Sequence, residues 1–130
     1  MALSPDAIES YRRGWRQREA RKHAGREAAR LAAQAAVQEQ ILALVRRWPT
    51  IRRVYLFGSV IQPGAFHEKS DVDVAIEGAT GEAYFGFWRE LDEAVPQFFI
   101  DVREIDAPSS FADEVRRSGI LVYEREDLAS

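Results

Sequence analysis

Cysteine is absent from the 130 residues, and histidine occurs only twice. The first absence removes disulfides, zinc–thiolate sites, iron–sulfur clusters and thiol nucleophiles together. The second leaves carboxylates as the readier ligands, so any bound metal is expected to be a hard, oxygen-liganded ion. Long apolar runs are missing as well, none approaching the ~18 residues that a membrane-spanning helix requires. The opening Met-Ala-Leu-Ser-Pro-Asp lacks a basic start followed by an apolar run, so no secretory signal is read and a cytoplasmic location is expected. With 46% apolar and 30% charged residues, the composition is that of a globular protein with one core, too short for a multidomain enzyme.

The net charge of −3 conceals a division along the chain. Residues 1–50 carry ten Lys and Arg against five Asp and Glu, whereas residues 51–130 carry eight against sixteen. An acidic second half repels phosphate backbones unless divalent cations intervene. Direct nucleic-acid binding is therefore disfavoured, and a metal-dependent site is favoured.

Two segments follow from periodicity. Ser4 to about Trp48 is rich in Ala, Arg, Glu and Gln, with Ser4 as an N-cap and Pro5 at the first helical position, and it reads as a long helix or two ended by Pro49. Ile8, Tyr11 and Trp15 share a face, Ile41, Leu42, Leu44, Val45 and Trp48 form a second apolar cluster, and Arg16 to Arg30 is polar nearly all round. An unbroken helix of this length would be ~65 Å long. It is expected either to bend near Gly14 or Gly25 or to project as an arm. Beyond Pro49 the pattern predicts strands at Val54–Phe57, Asp71–Glu77, Phe98–Val102 and Ile120–Tyr123, with helices over Gly81–Ala94 and from Ser109 or Ser110 through Arg117. The fold class is α+β: a small mixed β-sheet with flanking helices over residues 50–130, preceded by a helical arm over residues 1–49.

Chemistry concentrates in Leu56-Phe57-Gly58-Ser59, followed after eleven residues by Asp71-Val72-Asp73. Glycine after a buried strand lets the backbone approach a ligand, and Ser59 adds a hydroxyl and an N–H at what can be a helix start, a seat for phosphate. Taken alone, Gly-Ser is equally an ordinary turn. Asp71 and Asp73 project from one face of a strand with Cα atoms ~6.6 Å apart, close enough for both carboxylates to reach one divalent ion or a bridged pair. Asp101, a charge following Phe98-Phe99-Ile100, is the expected third carboxylate and a candidate general base, with Glu104 and Asp106 as runners-up. His67 reads as a solvated loop residue, and Tyr84, Phe85, Phe87 and Trp88 read chiefly as packing of a helix on the sheet.

Gly58-Ser59, Asp71-x-Asp73 on a strand and a later Asp101 strand resemble the nucleotidyltransferase superfamily of the polymerase-β type, specifically its minimal (MNT) members. The resemblance covers about Val54 to Tyr123, including the closing helix, Ser-Gly stop and Ile-Leu-Val-Tyr strand. It implies that Asp71, Asp73 and Asp101 bind Mg²⁺, two ions being expected, and that Gly58 and Ser59 hold the triphosphate of ATP. It also implies a context, that of an antitoxin transferring AMP from ATP to a tyrosine of a partner HEPN ribonuclease toxin. Two alternatives stay open: an antitoxin acting by binding alone, and transfer to a small molecule such as an aminoglycoside. The arm lies outside the resemblance and is expected to serve assembly, with a second copy or with the toxin.

Overall fold

The computed structural model describes residues 2–128. Helix α1 runs unbroken from Pro5 to Leu44, followed by a 3₁₀ turn over Val45–Arg47. Its start is capped as the sequence suggests, Ser4 Oγ accepting from the Ala7 N–H at 3.1 Å, with Pro5 in the first turn. Neither Gly14 nor Gly25 bends it, so the arm projects: no residue from Pro5 to Arg26 is buried. At about 60 Å the rod outreaches the body it springs from. Tyr11 and Trp15 stand in solvent at 71% and 55% exposure. Only the second half of α1 is amphipathic toward the body, through a buried stripe of Arg30, Ala33, Val37 and Ile41 continued by Val45.

The rest follows the strand and helix order expected. β1 (Arg53–Phe57), β2 (Val72–Glu77), α2 (Gly81–Ala94), β3 (Ile100–Glu104), α3 (Ser110–Ser118) and β4 (Ile120–Glu124) succeed one another, with a 3₁₀ turn over Gly58–Ile61 after β1. The sheet order is β3-β2-β1-β4. β1 is antiparallel to β2 and β4, and β2 and β3 run parallel across the α2 crossover, so the sheet is mixed as expected for the α+β class. The third strand begins two residues later than the sequence pattern suggests. Pro96 and a tight turn closed by Phe98 N–H to the Val95 carbonyl keep Phe98 and Phe99 outside the strand, and Phe99 lies 71% exposed.

Strand alternation sorts the side chains of β2. Val72, Val74 and Ile76 enter the larger core with α1, Phe87 and Leu91 of α2, and Ile100 and Val102 of β3. Ala75 belongs to the smaller cluster on the opposite face, with Tyr55, Ile105, and Ala112 and Val115 of α3. Asp73 and Glu77 share that second face by the two-residue period. Among the aromatics of α2, Phe87 is fully buried, Tyr84 Oη donates to the Val102 carbonyl at 2.6 Å and Trp88 Nε1 donates to the Ile100 carbonyl at 3.0 Å. These three hold the helix on β3; Phe85 points to solvent.

Candidate active site

Register decides which carboxylates meet. β2 and β3 pair so that Asp73 lies opposite Asp101, both half-buried on the α3 face of the sheet. Asp71 precedes β2 by one residue and is exposed. Its charge is nevertheless felt at Asp73, whose carboxyl is pushed above the usual range first by burial and then by Asp101 and Asp71. Arg103 is the one cation that relieves it, and its Nε lies 3.4 Å from Asp101 Oδ2, a long contact.

Gly58 completes the arrangement from above. β1 ends opposite Asp73 in the Phe57–Asp73 pair, and the chain then turns through Gly58 with φ of +75°. A Cβ at that position would collide with Oδ2 of Asp73. Glycine is thus required twice, for the left-handed backbone and for the space over the carboxylate. Ser59 follows, half-buried, in the 3₁₀ turn whose bond runs from the Gln62 N–H to the Ser59 carbonyl at 3.2 Å. The helix start that the sequence allowed here is this 3₁₀ turn over Gly58–Ile61.

Beside Gly58 a cleft of about 350 Å³ opens between the turn and α3, lined in part by Phe57, Gln62, Pro63 and Phe111. Phe57 and Phe111 meet edge to face at 5.4 Å, and the Arg103 guanidinium lies over the Phe111 ring at 5.7 Å. Sequence reasoning missed Phe111 and Arg103. Phe111 meets Phe57 and Arg103 only when α3 folds across the sheet, whereas Arg103, two residues after Asp101 on β3, shares its face by strand alternation and could have been found from it. The runners-up have other duties. Asp106 accepts from the Gly78 N–H and from Arg52, both at 2.8 Å, and so closes the turn after β2, while Glu104 is exposed. His67 is exposed in its loop.

The donor set suits a hard dication: carboxylate oxygens, no thiol in the chain and glycine clearance above Asp73. As the side chains stand, no three His, Asp or Glu among the described residues close around a common metal position.

A family model, polymerase beta nucleotidyltransferase, matches residues 39–128. The chain belongs to that family. The match takes in every strand of the sheet, the glycine turn and all three aspartates. No curated protein matches this nucleotidyltransferase. Among solved structures it is similar to a chain of a toxin–antitoxin crystallised with AMP-PNP, at 25% identity and TM-score 0.56 over 69% of this chain and 75% of that one. Similar folds occur in the MntA–HepT toxin–antitoxin, at 21% identity and TM-score 0.51 over 70% and 73% of the two chains. A complex of a tri-AMPylated Shewanella oneidensis HEPN toxin with MNT antitoxin matches at 22% identity and TM-score 0.52 over 72% and 75%. No helix among the described residues is long and apolar enough to cross a membrane.

Proposed function

We propose that the protein is an MNT antitoxin that transfers AMP from ATP, with Mg²⁺, to a tyrosine hydroxyl of a partner HEPN ribonuclease toxin. The observation that carries this reading is the register of Asp73 against Asp101 beneath the clearance left by Gly58. Likeness to a toxin–antitoxin crystallised with AMP-PNP supports an adenine nucleotide as substrate and a toxin as partner. The AMPylated toxin of the Shewanella oneidensis complex is the product such a transfer would leave.

On this reading residues 50–130 carry the chemistry and residues 1–49 supply the arm and the helix behind the sheet. Gly58 and Ser59 hold the triphosphate through backbone N–H and hydroxyl donors. Asp71, Asp73 and Asp101 are the residues that would hold Mg²⁺, which when bound neutralises charge on the phosphates and lowers the pKa of a coordinated hydroxyl. Asp101 accepts the proton of the tyrosine hydroxyl as its oxygen bonds to the α-phosphorus. The bond to the bridging oxygen breaks, and pyrophosphate carries away the electron pair. Phe57 and Phe111 offer the cleft an apolar wall for a planar base.

Incubation with labelled ATP, Mg²⁺ and the HEPN-type product of an adjacent reading frame should label that product, and Asp73→Ala should abolish the label. Label on an added aminoglycoside alone would replace the toxin with a small-molecule acceptor. Neutralisation of the toxin by the unlabelling Asp73→Ala variant would make the protein an antitoxin by binding.

A further inference from the structure

Arg30 and Glu77 are the two buried charged side chains among the described residues, and only Glu77 lies in the sheet. Arg30 sits at 8% exposure on the body-facing stripe of α1, one turn before Ala33, where an aliphatic residue would extend the apolar face without desolvating a charge. Its Nε and Nη2 donate to the Glu27 carboxylate at 3.1 and 2.8 Å, and its Nη1 donates to the Val60 carbonyl at 3.4 Å. Glu27 in turn accepts the Gly64 N–H at 2.6 Å. Arg30 and this amide hold the Glu27 carboxyl below its usual range. The other ion pairs within α1, Glu9 with Arg16 and Glu19 with Lys22, lie in solvent.

Glu27 and Arg30 therefore grip the chain at Val60 and at Gly64, immediately after Ser59. Beyond the 3₁₀ helix of Gly58–Ile61 the segment is closed by a bond from Gln62 to Ser59 and one from Ala65 to Gln62, at 3.2 and 3.1 Å, so its Gly64 end lies outside the helical turn. Val60 is fully buried and anchors one end by packing; the Gly64 end, with φ of +80°, has Glu27.

We infer that Glu27 and Arg30 are positioning residues for triphosphate binding, acting through the Gly58–Gly64 turn; the inference rests on the nucleotidyltransferase reading above. Holding Val60 and Gly64 in place before the nucleotide arrives removes an ordering cost from binding. Their loss is felt as weaker Mg-ATP binding more than as loss of fold.

The test is calorimetric titration of Mg-ATP into the full-length chain, with a melting curve for every variant. Glu27→Ala should weaken binding about tenfold, the scale of one charge-assisted hydrogen bond. Glu27→Gln keeps an acceptor for the Gly64 N–H and should recover most of that loss. The exchange E27R/R30E keeps a pair three residues apart on the helix but sets a donor against the Gly64 N–H, so it should remain as weak as Glu27→Ala. Wild-type affinity in Glu27→Ala, or full recovery in the exchange, would overturn the inference while leaving the nucleotidyltransferase reading standing. So would a loss of affinity that merely tracks a fall in melting temperature across the three variants. A wild-type chain that binds no Mg-ATP would overturn the reading of the site itself, and this inference with it.

Discussion

Asp73 and Glu77 lie four residues apart on the same face of β2, and their surroundings could hardly differ more. Glu77 is 4% exposed and is met by Arg53 Nη1 at 2.9 Å and Arg116 Nε at 2.8 Å, while Arg53 also bonds Glu124 at 2.7 Å. Burial alone would raise the Glu77 carboxyl, but the two arginines outweigh it and hold the group below its ordinary value. Asp73 has carboxylates for neighbours and is pushed the other way. One end of this face is a closed network that ties β1, β2, β4 and α3 together. The other keeps an excess of negative charge, which costs stability in the absence of a cation. Equal side-chain chemistry at equal strand phase thus becomes scaffold or site according to what the neighbouring elements bring.

Substitution at the open end should have the largest effect. On the proposed reading Asp73→Asn removes a Mg²⁺ ligand and its charge, and should reduce nucleotidyl transfer by about a thousandfold or more. The same change should make the metal-free protein more stable, by about 0.5–2 kcal/mol. The sign follows from the raised carboxyl: its protonated form is favoured by folding, so stability falls as pH rises through the folded-state pKa, and an amide avoids that loss. A metal-free melting temperature lowered by Asp73→Asn would break the comparison. Gly58→Ala, which sets a methyl group against Asp73 Oδ2 and forces alanine to a φ of +75°, should cost about a hundredfold in activity and about 1–3 kcal/mol in stability. Denaturant melts and the labelled-ATP assay read both.

The closed end should answer in stability instead. Glu77→Gln leaves Arg53 and Arg116 without their shared anion and should destabilise by about 2–4 kcal/mol, with transfer little changed well below the melting temperature. Because the Glu77 carboxyl is depressed on folding, its contribution is fully present above the unfolded value of 4.5 and is lost as pH falls through the lower folded-state value. The wild type should therefore lose stability below about pH 4.5 more steeply than Glu77→Gln, and parallel acid limbs would contradict the assignment. The smallest effect on the site is expected from removing residues 1–21. Mg-ATP affinity should stay within about twofold, as Glu27 and Arg30 remain, while toxin binding or oligomer mass falls. Loss of neither would leave the exposed Tyr11 and Trp15 without a role in assembly.

Much of the carboxylate end was legible because its signals are local. Alternation over Asp71–Glu77 gave the strand and put Asp73 on the polar face, and Gly58 after Phe57 marked a turn where the backbone can approach a ligand; that this turn passes over Asp73 came only with the fold. Asp101 was found as a charge in an apolar strand, even though that strand starts at Ile100 and leaves Phe98 outside. The Glu77 network was not legible, because its arginines arrive from 24 residues before and 39 after, on elements whose facing only the folded sheet decides. Arg30 was hidden for a related reason. In an arm so rich in arginine a single inward-facing one looks like the rest, and the residue that follows it on the buried stripe is Ala33, too weakly apolar to mark where the stripe begins.

The unbroken course of α1 also sets a spacing between its exposed aromatics and the site end of the molecule. From Glu27, where the helix grips the glycine turn, to Tyr11 is sixteen residues, or about 24 Å along one rigid axis. Each residue inserted between them would turn Tyr11 and Trp15 by about 100° about the axis and shift them by about 1.5 Å relative to the glycine turn.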